Sequence, residues 1–523
     1  MRRLTLFLLA CIAAASIAVA QTPQRGGTLL SAMAADPTNI NPDLSTGGPD
    51  LYIGCMIYEG LVRFGKGFKI EPLLAKSWEI SSDGLDYTFH LVEANWHDGK
   101  PFTSEDVKYT LTEVSPKYGP YFLNPSKVVQ SIDTPDARTV RIKLSKPFGP
   151  FLFSLACDQN TAILPAHVFR GTDAPSNPAS TSAPVGTGPF KIAEWVRGDH
   201  ITLVRNDKYW QQGRPYLDRI IAKFIGAPSS RILALQAGEL DYIEYYWFPL
   251  DSYKLVANDK RFQTAEVSYP TITHLLINTK QPPLDNPKVR QALMVALDRN
   301  YIQKNVFFGL GQPAVSTFDS RIEWAYNPKV NYEKMYPYDP AKAKAMLDEA
   351  GVKPDADGTR FTINFLFDST RPDFLQAAQA IQRFWQDVGV KVNLQGAERA
   401  VTLKRVYTDY DFGVTLQTYT TSGDPALGIA RAFVTESIKQ GSNFNNVSRY
   451  SKPEVDDLFN KGRDASSREE RAKYYYRVQE ILAQDLPTLT LHQDALIDVA
   501  SVRVHNIFSG GQFPLWDIVW MDK

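Results

Sequence analysis

Large apolar side chains alternate with polar ones through Tyr87, Phe89 and Leu91, and again through Val140, Ile142 and Leu144. A period of two predicts strands with one buried face. Ser82-Asp83-Gly84 predicts the turn of a hairpin whose first arm covers residues 73–79, and Asp98-Gly99 turns the chain again. Thr103 and Asp106 stand at capping-box spacing and predict a helix running to Thr112. A second hairpin is predicted from residues 190–195 and 201–205 around Gly198-Asp199. A strand at 26–30, helical spacing across 52–61, and a Pro/Ser/Ala-rich loop or linker at 172–184 complete a β-rich first half.

The periodicity changes near Thr271. Asn286 and Pro287 predict a capped helix with Val289, Leu293, Ala296 and Leu297 on one face, and Asp339-Pro340 starts another, stopped at Gly351. A strand at 361–367, a helix at 373–388 bearing Phe374, Ala378, Ile381 and Trp385, and a strand at 390–394 follow with short links. That order is a βαβ unit, which implies a parallel sheet covered by helices. A helix near 401–407, a strand at 412–419, a long helix opened by Ser467 and Glu470, and a strand at 488–491 continue the pattern. The expected class is α/β, with a boundary near residue 271.

Composition narrows the setting. Arg2 and Arg3 precede an apolar run, and Ala18-Val19-Ala20 offers small residues before Gln21. Residues 1–20 therefore read as a cleaved secretory signal; an uncleaved anchor and a lipoprotein start at Cys11 are the other readings. No later stretch is long and apolar enough for a spanning helix. The chain carries 57 basic and 57 acidic residues without basic runs, which argues against nucleic-acid binding and against a polybasic membrane patch. Cys55 and Cys157 remain after cleavage, about a hundred residues apart. Two buried thiols are the default expectation and a single bridge the alternative, because spacing alone does not bring two Cα atoms within reach.

No GxSxG elbow, HExxH, P-loop or CxxC occurs, and the seven histidines are scattered. Gly186-Thr187-Gly188 precedes a strand, whereas a phosphate-cradling loop opens a helix. The reading is of a protein that is not an enzyme, with no metal site and no cofactor.

Several short signatures occur in one order: Tyr58-Glu59-Gly60-Leu61, Pro72-Leu73-Leu74-Ala75 with Ser77-Trp78, His97 to Phe102 followed by Asp106-Val107, and Gly186 to Phe190. Asn206 with Tyr209-Trp210, Gly238-Glu239-Leu240-Asp241, Asn278-Thr279, Val289 to Leu293 and Asp298-Arg299 follow. From about Gly26 to its end the chain resembles the extracellular solute-binding proteins of ABC importers, the family of dipeptide-, oligopeptide- and nickel-binding proteins. The signatures themselves read as scaffold. The resemblance implies a two-lobed, periplasmic-binding-protein-like fold with an extra β-rich subdomain. Residues 21–270 would form the first lobe (β-rich over about 56–184), residues 271–489 the second, and residues 490–523 would return to the first. It also implies a monomeric periplasmic protein that hands peptides or peptide-like molecules to a permease and its ATPase. An oligosaccharide, an opine-like compound or a metal chelate is the alternative cargo.

Enclosing a peptide desolvates its charged termini, so they need partners. Peptide-binding relatives set an arginine against the carboxylate and an aspartate against the α-amine. Arg371, before Pro372 and after a strand, is the candidate arginine. The amine-binding position, three residues before the aspartate of Gly423-Asp424-Pro425, holds Thr421. Either Asp424 takes over that role or the cargo lacks a free α-amine. Tyr419, Tyr245 and Trp247 are candidate aromatic contacts.

Overall fold

The computed structural model describes residues 22–267 and 269–523. The expected signal segment lies outside them. Among the described residues no helix is long and apolar enough to cross a membrane.

Two large sheets organise the chain. The first has seven strands in the order Phe262–Val267, Leu496–Ser501, Tyr242–Ile243, Thr28–Met33, Arg219–Phe224, His200–Arg205, Phe190–Val196. The second has six, in the order Gln312–Pro313, Thr488–Gln493, Thr271–Ile277, Val414–Thr420, Phe361–Asp368, Val390–Ala397. Each has its own apolar core, the first around Leu29, Tyr52 and Tyr242, the second around Leu275, Phe365 and Trp385. The βαβ unit is present: Phe361–Asp368 runs parallel to Val390–Ala397, and the helix Pro372–Gln386 covers them with Phe374, Ala378, Ile381 and Trp385 buried.

A four-stranded antiparallel sheet, Ala75–Ile80, Asp86–Leu91, Thr139–Leu144 and Val129–Asp136, builds the β-rich appendage with a third core. Both alternating segments bury their apolar face, and the capping box of Thr103 and Asp106 opens the helix Ser104–Tyr109. Asp106 does more than cap. It accepts the Trp96 indole at 3.4 Å and the Ala166 N–H at 2.9 Å, tying three segments together.

The chain passes between the large sheets twice, at 267–271 and at 493–496. Val267 pairs with Leu496 on one side and Ile272 with Gln493 on the other. The Asp494 N–H bonds the Thr271 carbonyl at 2.9 Å in between. The two passages are thus neighbours in one antiparallel ribbon that threads both sheets.

Three expectations need correction. The helix expected over 52–61 is Gly48–Ile57, because Pro49 suits its first turn, while Tyr58 is extended and its hydroxyl donates to the Ala179 carbonyl at 2.6 Å. The stretch 172–184 is no free linker: Ala174, Ala179 and Ser180 are buried, and Asn41 donates to the Ser180 hydroxyl at 3.2 Å. Cys55 and Cys157 are not two thiols but one disulfide, with Cα atoms 5.8 Å apart. The end of Gly48–Ile57 packs on the turn Cys157–Gln159, which brings distant cysteines together in a way no spacing rule registers.

The bridge closes a loop of 102 residues that includes the β-rich sheet. Closing so long a loop restricts the unfolded chain, for roughly 2–4 kcal/mol. Cys55→Ser with Cys157→Ser should therefore lower the thermal midpoint by several degrees, and reductant should do the same to the wild type only.

Candidate ligand-binding cleft

Residues of both halves come together beside the ribbon. From the first sheet, Tyr242–Ile243 leads into Tyr245 and Tyr246, whose rings stack at 4.5 Å. Tyr245 lies 6.3 Å from Tyr269, on the first passage between the sheets. Tyr246 keeps 47% of its surface accessible beside the stacked ring of Tyr245. Burial raises the Tyr269 phenol to about 12, an effect that the neighbouring Thr420 and Ser422 of the second half partly offset.

Arg371 has the same character. Its side chain is 41% accessible. It precedes the helix Pro372–Gln386, at the carboxyl end of Phe361–Asp368, where parallel sheets present ligand-binding groups. Asp373 holds it through Nε and Nη2 at 2.8 and 2.5 Å, and its guanidinium lies 4.1 Å from the Phe374 ring centroid. Asp373 keeps its pKa raised against the opposing effect of burial, with smaller help from Asp494 on the second passage. The fork is fixed, with Nη1 left for another acceptor.

The other residues singled out from sequence sit elsewhere. Asp424 is buried and bonded to the equally buried Arg471 at 2.7 Å, and it also accepts the Ala426 N–H. The geometry lends no support to its meeting a ligand amine. Thr421 is buried, its N–H bonded to the Pro270 carbonyl at 2.9 Å, so it stands beside the first passage without a charge to offer. Tyr419 is packed in the core of the second half, its hydroxyl shared with Tyr407 and Asn445. Trp247 packs edge-on to Tyr52 at 5.1 Å in the first core. Tyr246 belongs to the aromatic run at 245–248 that the sequence offers, whereas Tyr269 and Ser422 carry no such signal; which ring of the run stays accessible depends on how the chain turns there.

The signatures are structural. A Cβ on Gly186 would lie 1.8 Å from the Ile57 carbonyl, and one on Gly188 2.5 Å from that of Met56; these glycines let the hairpin close on a helix end. Glu59 accepts Tyr209 at 2.7 Å and Trp210 at 3.1 Å. Arg290 and Arg299 are buried among backbone carbonyls, which satisfy their forks. Among the described residues no group of three His, Cys, Asp or Glu could hold a metal ion.

Behind the tyrosines lies a buried acid pair. Asp498, pushed up to about 7 by burial, accepts the Tyr245 N–H at 2.8 Å. Glu244 is raised well above the usual range by burial and then by Asp498. Burial likewise raises Asp43 and Glu59 to about 7. The native state therefore keeps protons that the unfolded chain releases near pH 4. Stability present below about pH 4 is lost as pH rises towards about 7.

Thermal midpoints should fall between about pH 4.5 and about pH 7.5, and Asp498→Asn should flatten part of that slope. Asp424→Ala should cost roughly 3–5 kcal/mol by stranding Arg471, a loss seen in unfolding rather than in ligand preference.

A family model for bacterial extracellular solute-binding proteins, family 5, middle part, matches residues 69–441. Heme-binding protein A of Haemophilus influenzae is 32% identical, over 96% of this chain and 94% of that one. The Helicobacter pylori ABC transporter-associated periplasmic binding protein DppA, solved with the peptide STSA, superposes with a TM-score of 0.78 at 27% identity, covering 96% of this chain and 99% of that chain. AgaA from A. tumefaciens R10, solved with agropinic acid, superposes with a TM-score of 0.77 at 27% identity, covering 95% and 99%. With the family model matching most of its length and a relative 32% identical from end to end, this chain belongs to the bacterial extracellular solute-binding proteins of family 5.

Proposed function

We propose that the protein is the periplasmic substrate-binding component of an ABC importer, closing its two lobes on a peptide-like, carboxylate-bearing solute and delivering it, unchanged, to a permease driven by an ATPase. The observation that carries the reading is Arg371: a guanidinium fixed by Asp373 and Phe374 at the carboxyl end of a parallel strand and still accessible. A planar fork so held is prepared to take a carboxylate. Tyr246 and Tyr269 supply apolar faces with polar tips for the body of the solute. Ligand that touches both lobes only when they close shifts the open–closed equilibrium by that differential affinity.

Thr421 sets the second feature. With a hydroxyl there, and with Asp424 bound to Arg471, neither group neutralises an ammonium. The favoured cargo is one whose α-amine is absent or blocked. The same observation favours an opine-like solute as the second reading, in keeping with the likeness to a protein solved with agropinic acid.

A thermal-shift screen of peptides, N-acylated peptides, opines and neutral sugars tests both. Ligand at about a hundredfold over its Kd should add roughly 2.7 kcal/mol. Arg371→Ala should weaken carboxylate ligands by about 10- to 100-fold and leave neutral ones untouched. N-acylation should be tolerated; a strict need for a free amine would refute the reading of Thr421, and turnover of any ligand would refute that of a carrier.

A further inference from the structure

Arg431 is unlike every other arginine that the fold takes in. The short turn Ile429–Ala432 carries it, folded back on Thr420 and Thr421 so closely that a Cβ on Gly428 would lie 2.3 Å from the Thr420 carbonyl. The side chain is half-buried, and its Nε is shut off from solvent without a hydrogen-bond partner. Arg371 has Asp373, Arg321 has Asp319, Arg471 has Asp424, and Arg231, Arg290 and Arg299 have backbone carbonyls. Among the described residues Arg431 has neither a carboxylate nor any other acceptor, only the Phe444 ring at 6.0 Å. The turn that carries it packs on Thr420 and Thr421, and the Thr421 N–H bonds the Pro270 carbonyl at 2.9 Å, so Arg431 belongs to the second half beside the first passage, next to Tyr269 in the chain's crossing segment.

A guanidinium that closure takes further out of water, with no counter-ion in the protein, is costly unless the guest brings one. Arg371 does not have that need, because Asp373 already balances it. We propose that Arg431, with Tyr269, is a second anion subsite, and that the solute carries two acidic groups, one for each arginine. This rests on the reading of the cleft as a solute site and narrows it to acidic, peptide-like guests.

The test uses the full mature protein and two probes, N-acetyl-Ala-Glu and N-acetyl-Ala-Gln, which differ by one carboxylate. The wild type should bind the Glu probe about 10- to 100-fold more tightly, as a charge-assisted bond requires. Arg431→Gln should abolish that preference and Arg431→Lys should keep most of it. Arg371→Gln should weaken both probes alike and preserve it. A preference that survives Arg431→Gln overturns the second subsite while leaving the carrier reading intact; a preference lost in Arg371→Gln and kept in Arg431→Gln reverses the assignment. Small-angle scattering gives a readout that needs no ligand. Ligand-free Arg431→Gln should be more compact than the wild type, since nothing then opposes closure; equal dimensions overturn the argument from the unpaired charge.

Discussion

The rest of the structure depends on the pairing of two passages into one ribbon. A single connection would leave the halves free to swing and twist. Here Val267 pairs with Leu496 and Ile272 with Gln493, so adjacent strands cross together and the bond from Asp494 to Thr271 holds them in register. A hydrogen-bonded pair bends across its plane more readily than it shears within it, which leaves one easy motion, opening and closing. It also fixes where chemistry is useful. Tyr269 and Asp494 sit on the passages themselves, Tyr246 follows a strand of the first sheet and Arg371 one of the second, so on the proposed reading a guest between the halves would meet groups from both.

Charge is handled in two ways across the molecule, and the difference separates scaffold from site. Scaffold charges are satisfied internally: Arg471 by Asp424, Arg290 and Arg299 by carbonyls, Glu59 by Tyr209 and Trp210. Buried acids that lack a cation, such as Asp498 and Glu244, respond by holding protons. An arginine has no such escape, because its guanidinium stays protonated at any accessible pH. That is why an enclosed arginine without an acid carries more information about a guest than an enclosed carboxylate does.

Much of the fold was legible in the sequence where periodicity and capping are local. Residues 373–388 and 361–367 were read within two residues of the observed helix and strand, because an amphipathic face and a β run declare themselves within a dozen residues. The hairpin around Gly198 and the box of Thr103 and Asp106 were equally local. The disulfide was not, since it depends on how a helix end meets a turn a hundred residues on. For the candidate site, the place of Arg371 between strand and helix was legible, because both elements are local. Tyr419 and Trp247 were read as cleft-facing, but the structure puts both in cores. Arg431 carried no signal, because an unpaired charge is recognised only after every other charge has been paired.

The contacts between the halves bear on how a guest could decide the outcome. Lys146 meets Asp464 at 2.8 Å, but both are partly exposed, and such a pair is worth about 0–1 kcal/mol. Arg321 and Glu266 at 3.2 Å are of the same kind. Gly423 contributes shape instead of attraction. Its φ of +68° suits glycine, and a Cβ there would lie 2.7 Å from the Phe153 ring of the opposite half. The halves can therefore approach closely at the Gly423-Asp424-Pro425 turn without gaining much by doing so. On the proposed reading, weak ion pairs between the halves and an unpaired arginine opposing closure would leave the balance to be set by what lies between.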